Sequence, residues 1–267
     1  MNLEEHKIIF KNSLDIFSKK LQNIISTEDG SWSIKGIIDL NENIYPITHD
    51  TKIISKILEI QIFPYLIEFA ENNGYRIMLT KHQNYYPDLT FINIQNENIK
   101  FAVDLKTAYR KKNNTINFTL GSHGSYFKQR DKKKNILFPY NKYSGHFCLC
   151  LLYSRTLEEE KKYKLNFLNN KKSSIGNIEI FVAEKWKIAS DKQGSGNTAN
   201  IGSCSNINDL KNEKGIFSNL GEEWFDMYWT NYGEYIKHDN EFIKITSLKQ
   251  FLFIKNREDL LEIIKTK

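Results

Sequence analysis

Three residues could carry the chemistry of this chain: Asp88, in a Pro-Asp pair, and Asp104 and Lys106, two residues apart, all within YPDLTFINIQNENIKFAVDLKTAY. In the second half of that stretch Phe101, Val103 and Leu105 alternate with Ala102, Asp104 and Lys106. A strand sends alternate side chains to opposite faces, so Asp104 and Lys106 share one face while their apolar partners enter a core. The QNEN between the two alternating runs is a polar turn of hairpin length, which lays the runs antiparallel and brings Asp88 beside Asp104. Two converging carboxylates suit a hard divalent cation such as Mg2+, which prefers oxygen ligands and keeps several waters. A lysine beside them can offset charge developing on a phosphate. The outline is that of phosphodiester hydrolysis. Acid and lysine alternating on a strand also describe a solvated face, and a D-x-K triplet means chemistry only in the right structural context.

The elements that must position these residues follow from periodicity. Ile8, Ile9, Leu14, Phe17, Leu21 and Ile25 recur at roughly helical spacing over residues 3–26, with lysines between them, which predicts a surface helix. SWSIKGIIDL and NENIYPIT read as two short strands. Asp50 offers an N-cap before a long helical pattern through Ile53, Ile57 and Ile62, which Pro64 bends or interrupts and Gly74 closes. YRIMLT, INFTLGS, HFCLCLLYSR and NIEIFVAEKWKIAS have strand character, and the lysine-rich EEEKKYKLNFLNNKKSS reads as a loop. GEEWFDMYWTNYGEYIKH and NREDLLEIIKTK are expected as two helices joined by the short apolar SLKQFLFI. Trp224, Phe225, Met227, Tyr228 and Trp229 are expected in a core or a subunit contact. The sum is a single mixed α/β domain over residues 1–267.

Composition bounds the function. A chain of 267 residues that is 40% hydrophobic and 13% aromatic can bury a substantial core. Its net charge of +6 fits a polyanionic partner without requiring one. Cys148, Cys150 and Cys204 form no C-x-x-C pair, so no zinc site is implied, and Cys148 and Cys150 read as buried thiols on one side of a strand. The amino terminus is acidic and then amphipathic, unlike a signal peptide, and no run approaches the ~18 apolar residues of a membrane span. No membrane association and a reducing cytoplasm are the expectation.

Three further features could serve the site. Glu59 lies among isoleucines in the second helical pattern, either as an ordinary exposed glutamate or as a third acidic group near the metal. The basic KQRDKKKN is either solvated or in contact with phosphate. In DKQGSGNTANIGS, Gly194 and Gly196 permit close backbone approach, and Ser195, Asn197, Thr198 and Asn200 offer short polar side chains. That segment is either a flexible surface loop or a major-groove reader, in which asparagine pairs with adenine and a threonine methyl meets thymine. Gln83 and Asn84, just before the Pro-Asp pair, could be a second reading or positioning element.

Taken together, DTKIISKILEIQIFP, QNYYPDLT, FAVDLKTAY, INFTLGS and AEKWKIASDKQGSGNTANIGS resemble the EcoRV-like type II restriction endonucleases of the PD-(D/E)xK nuclease superfamily. The resemblance runs over roughly residues 35–235. It implies a central mixed sheet flanked by helices in a U-shaped homodimer that cuts double-stranded DNA with Mg2+, Mn2+ substituting. By that resemblance Asp88 and Asp104 bind the metal, Lys106 assists at the scissile phosphate, and Glu59 is an auxiliary acid. Gly194 to Asn200 correspond to the recognition loop, Gln83 and Asn84 contact DNA from the minor-groove side, and Lys52 and Thr107 are further DNA contacts. The similarity of the loop implies GATATC, cut bluntly at its centre, with a cognate DNA methyltransferase as functional partner. Tyr85 stands where the family's type member has histidine, and Ala108 where it has threonine. Competing readings are a structure-selective repair or junction-resolving nuclease on the same fold and a DNA-binding protein with a decayed site.

Overall fold

The computed structural model describes residues 2–82, 84–156, 161–194 and 199–265. Helix α1, Leu3–Ile25, opens on a capping box in which Asn2 and Glu5 satisfy each other's backbone N–H groups. Its buried stripe, Phe10, Leu14, Ser18, Leu21 and Ile25, has the spacing of one helical face. Strands β1, Gly36–Ile38, and β2, Asn43–Pro46, form the expected antiparallel pair. Helix α2, Thr51–Asn72, is capped by the Asp50 carboxylate, which accepts from Lys52 and Ile53 N–H, and it runs through Pro64 without ending. Beyond its C-cap Asn73, Gly74 takes the left-handed φ of +75° that reverses the chain.

The sheet that carries the carboxylates follows. Strands β3, Tyr75–Met78, β4, Leu89–Asn93, and β5, Lys100–Tyr109, form an antiparallel meander. The β4–β5 turn is held by the Asn93 side chain, which accepts from the N–H groups of Gln95 and Asn96. Strand β6, Thr119–Ser122, leaves this sheet, and β7, Gly145–Arg155, returns to lie parallel to β5. After the short β8, Tyr163–Lys164, strand β9, Ile175–Glu184, closes the order β3-β4-β5-β7-β9. Strands β10, Ala189–Gln193, and β11, Asn200–Ser203, form a hairpin that pairs with β6.

The carboxyl-terminal region departs from expectation. Helices α3, Ile207–Lys211, and α4, Glu222–Asn231, are followed by a hairpin of β12, Tyr235–His238, and β13, Glu241–Lys244, before α5, Leu248–Ile254, and α6, Leu260–Lys265. The expected helix through GEYIKH ends early because Gly233 and Asp239 take left-handed φ values of +80° and +51°, which turn the chain into and around the hairpin. SLKQFLFI, expected as a short apolar element between two helices, is the helix α5, capped by the Ser247 hydroxyl.

Core residues lie on both faces of the main sheet. On one, Phe10 of α1 stacks on Phe101 at 4.3 Å within an aromatic group that includes Phe69, Tyr75, Phe91 and Phe147. Each such buried ring contributes on the order of 1.5–3 kcal/mol. On the other, Ala102, Cys148, Cys150 and Leu152 meet Phe225, Tyr228 and Trp229 of α4 in one buried cluster. Cys148 and Cys150 are buried free thiols. Among the described residues no helix is long and apolar enough to cross a membrane.

Candidate active site

Strand register brings the carboxylates together. Leu89 pairs with Val103, so Asp88, one residue earlier, stands across from Asp104. The Leu105 N–H donates to Asp88 Oδ2 at 2.7 Å, and Lys106 Nζ lies 2.5 Å from Asp104 Oδ2. Asp104 is only 7% exposed, whereas Asp88 is open to solvent. Alternation on β5 places Asp104 and Lys106 on the face opposite Phe101 and Val103, and the parallel strand β7 sets Cys148 beside Asp104 and Cys150 beside Lys106. The three functional side chains line an open cleft of about 440 Å³, which Gly121, Tyr126 and Asn200 also line.

The electrostatics are those of two acids sharing a site. Partial desolvation and the Asp104 charge push the Asp88 carboxyl well up, with Lys106 and the Leu105 N–H pulling the other way. Burial works against the Asp104 charge, but Lys106 and a hydrogen bond with the Asp88 carboxyl hold its pKa below the ordinary value. Burial likewise opposes the Lys106 charge, and Asp104 more than compensates, so this lysine stays protonated. Two carboxyl groups that share one proton next to a cationic lysine present hard oxygen donors to a divalent cation, which would displace that proton. Among the described residues no three His, Cys, Asp or Glu side chains gather closely enough to hold a metal. A cation here would take two protein carboxylates and leave its other positions to water and substrate oxygen.

The remaining candidates fall in several places. Glu59 sits on α2, where its carboxylate pairs with Lys56, and it does not line the cleft. Lys52 is exposed in the first turn of the same helix. The Thr107 hydroxyl hydrogen-bonds to Ser55, tying β5 to α2 on the side away from Asp104. Asn84 is exposed on the cleft rim, and Gln83 lies outside the described residues. In the loop, Gly194 N–H donates to the Asn200 carbonyl at 2.9 Å, closing the base of the β10–β11 hairpin. Ser195, Gly196, Asn197 and Thr198 lie outside the described residues. In the basic segment, Arg130 pairs with Asp226 at 2.5 Å and covers the rings of Phe127 and Tyr140, while Lys128 pairs with Glu234. These two cations are committed to the protein itself.

Sequence reasoning passed over Lys185 and the aromatic side chains around it. Lys185 follows β9 directly and is 1% exposed, enclosed by Tyr86, Tyr126, Phe127 and Tyr140. The available signal was a lysine at the end of the apolar run IFVAE, where a solvated face would not be expected.

Residues 28–256 match the family described as restriction endonuclease EcoRV, a longer stretch than the 35–235 expected from motifs. The chain is 38% identical over 217 residues to the type II restriction enzyme EcoRV of Escherichia coli, covering 79% of this chain and 87% of that protein.

Proposed function

Because the chain belongs to the EcoRV restriction endonuclease family and is a type II site-specific deoxyribonuclease acting on DNA with a divalent metal, we propose that it cuts both strands of GATATC bluntly at the centre, as a homodimer using Mg2+. The observation that carries this reading is one cavity lined both by Asp88, Asp104 and Lys106 and by Asn200, at the base of the β10–β11 hairpin. Chemistry and base reading then share one cleft. Asp88 and Asp104 hold the cation, which supplies Lewis acidity toward the phosphate when bound. Lys106, kept charged by Asp104, offsets the negative charge that grows on the phosphate as water attacks in line.

Residues 194–200 enter the major groove, where Asn197 and Asn200 have the donor and acceptor pair that reads adenine. Gln83 and Asn84 approach from the minor groove, and Lys52 and Thr107 support the backbone. Glu59, paired with Lys56 on α2, is the auxiliary acid. A central TA step unstacks easily, so a bent complex can favour cleavage at one sequence more than binding. Exposed Ile37, Ile38 and Leu40 on the β1–β2 hairpin and Ile53 and Ile60 on α2 supply apolar surface for a dimer, whose two-fold axis matches a palindrome. In the cytoplasm a cognate methyltransferase would protect host sites.

Digestion of a sequenced plasmid or phage DNA in Mg2+, with end-sequencing of the fragments, tests the reading. Blunt ends within GATATC are expected. Discrete ends at another palindrome would overturn the loop assignment while keeping the chemistry, and absence of cutting in Mg2+ and Mn2+ would overturn the nuclease assignment.

A further inference from the structure

Lys185 is the one fully buried lysine among the described residues, and its Nζ makes no hydrogen bond. The ammonium lies 4.4 Å from the centre of the Tyr86 ring, 5.0 Å from Tyr140, 5.3 Å from Tyr126 and 5.8 Å from Phe127. Cation–π attraction recovers part of the cost of burying a charge, but a buried ammonium without hydrogen bonds remains expensive compared with an apolar side chain of the same length. Packing alone gives no reason for the charge.

Its position does. Strand pairing runs from Asp104 on β5 to Cys148 on β7 to Ala183 on β9, and Lys185 follows two residues later, beneath the cleft. A Cβ built on Gly121, which lines the cleft, would stand 3.8 Å from Lys185 Nζ and 1.9 Å from the Tyr126 hydroxyl. Only a residue without a side chain lets Tyr126 close over the lysine there. Burial lowers the Lys185 pKa to about 8, and Asp104 is the main charge that opposes the loss of its proton. The Tyr86 ring that covers the ammonium stacks on Tyr126 at 4.7 Å and stands two residues before Asp88.

We propose that Lys185 is a positioning residue for DNA cleavage: its caged charge lies behind Asp104 and Tyr86, offsets negative charge developing on the scissile phosphate, and clamps the segment that carries Asp88. The inference rests on the nuclease reading above. With the two carboxylates neutralised by a divalent cation, Lys106 in the cleft and Lys185 behind its lining are the positive charges left near the phosphate. The same positive charge weakens cation binding at Asp104, so removing it moves the two properties in opposite directions.

The test is Lys185→Met, which keeps the length and apolar volume of the stem. Three quantities are measured: thermal unfolding, Mn2+ binding to the free protein by calorimetry, and single-turnover cleavage of cognate DNA in Mg2+. The expected result is a Tm equal to or above that of the unsubstituted protein and Mn2+ binding tighter by about threefold to tenfold, with cleavage slower by on the order of 10- to 100-fold. Lys185→Arg, which keeps the charge over the rings, should recover at least a third of the lost rate on a logarithmic scale. Cleavage by Lys185→Met within about twofold of the unsubstituted rate overturns the proposal. So does slow cleavage accompanied by weaker Mn2+ binding and a lower Tm, the signature of a packing role. If Lys185→Met does not fold, Lys185→Gln replaces it under the same criteria. Failure of the unsubstituted protein to cut would instead refute the nuclease reading.

Discussion

Asp88 and Asp104 should be equally needed for cleavage and yet opposite in their effect on stability. In Asp104→Asn, Lys106 loses a carboxylate 2.5 Å away at a position where both side chains are largely buried. Breaking a buried pair in this way costs about 3–5 kcal/mol, and release of Asp88 to ionise in its place reduces that to about 2 kcal/mol. In Asp88→Asn the Asp104–Lys106 pair is untouched, and the new amide oxygen still accepts from the Leu105 N–H. What disappears is a carboxyl pressed against a like charge. Because Asp88 is open to solvent, its removal should stabilise by no more than about 1 kcal/mol. Folded Asp88 keeps its proton above the pH at which the unfolded carboxyl loses it. The Asp88 contribution to stability therefore falls as pH rises from about 4 toward the raised folded value, and Asp88→Asn removes that contribution. Urea unfolding without divalent cations at pH 5 and pH 8 measures both effects, and plasmid digestion in Mg2+ should show each variant slower by at least about a thousandfold. Equal stability of the two variants, or an Asp88→Asn protein more than about 1 kcal/mol below the unsubstituted one, would refute the charge assignment.

Two further predictions rest on the same face of the sheet. Gly121→Ala introduces a Cβ 1.9 Å from the Tyr126 hydroxyl at a φ of +84°, so Tyr126 must leave its stack. A loss of about 2 kcal/mol and a Tm lower by roughly 4–8 °C are expected in a scanning melt, and an unchanged Tm would mean the ring is free to move. His146 is buried against Tyr140 at 3.8 Å and bonded to the Tyr86 hydroxyl, and burial with the nearby Lys185 and Arg130 charges pushes its pKa well below the ordinary value. Unfolded histidine gains a proton below about pH 6.5 that the native state refuses, so the His146 contribution to stability should fall on acidification by up to about 1.4 kcal/mol per pH unit, opposite in sign to the Asp88 contribution. Urea midpoints at pH 7.5 and 5.5 should show this loss reduced in His146→Gln, and identical losses in the two proteins would remove the assignment.

Much of this organisation is written in local pattern. The alternation on β5 separates Asp104 and Lys106 from Phe101 and Val103 because a strand has a period of two, whatever it packs against. The polar QNEN turn sets the β4–β5 register, which carries Asp88 to Asp104. Asp50 and Gly74 bound α2 through capping that involves only nearby backbone groups. At GEYIKH the same kind of reasoning failed, because aromatic residues and isoleucine suit helix and strand alike, and the deciding feature was the φ of Gly233 and Asp239.

Sequence alone determined the pair of acids, the lysine beside them and the family to which they belong, since each depends on residue type at short spacing. Tertiary structure decided what those residues face. It pairs Glu59 with Lys56 and Thr107 with Ser55, seats Arg130 on Asp226, and brings Asn200 to the wall of the same cleft as Asp88. Above all it places Lys185 among rings from three separate segments of the chain, at Tyr86, Tyr126 and Tyr140. A charge is recognised as buried only when distant segments close around it, and no periodicity within one segment encodes that closure.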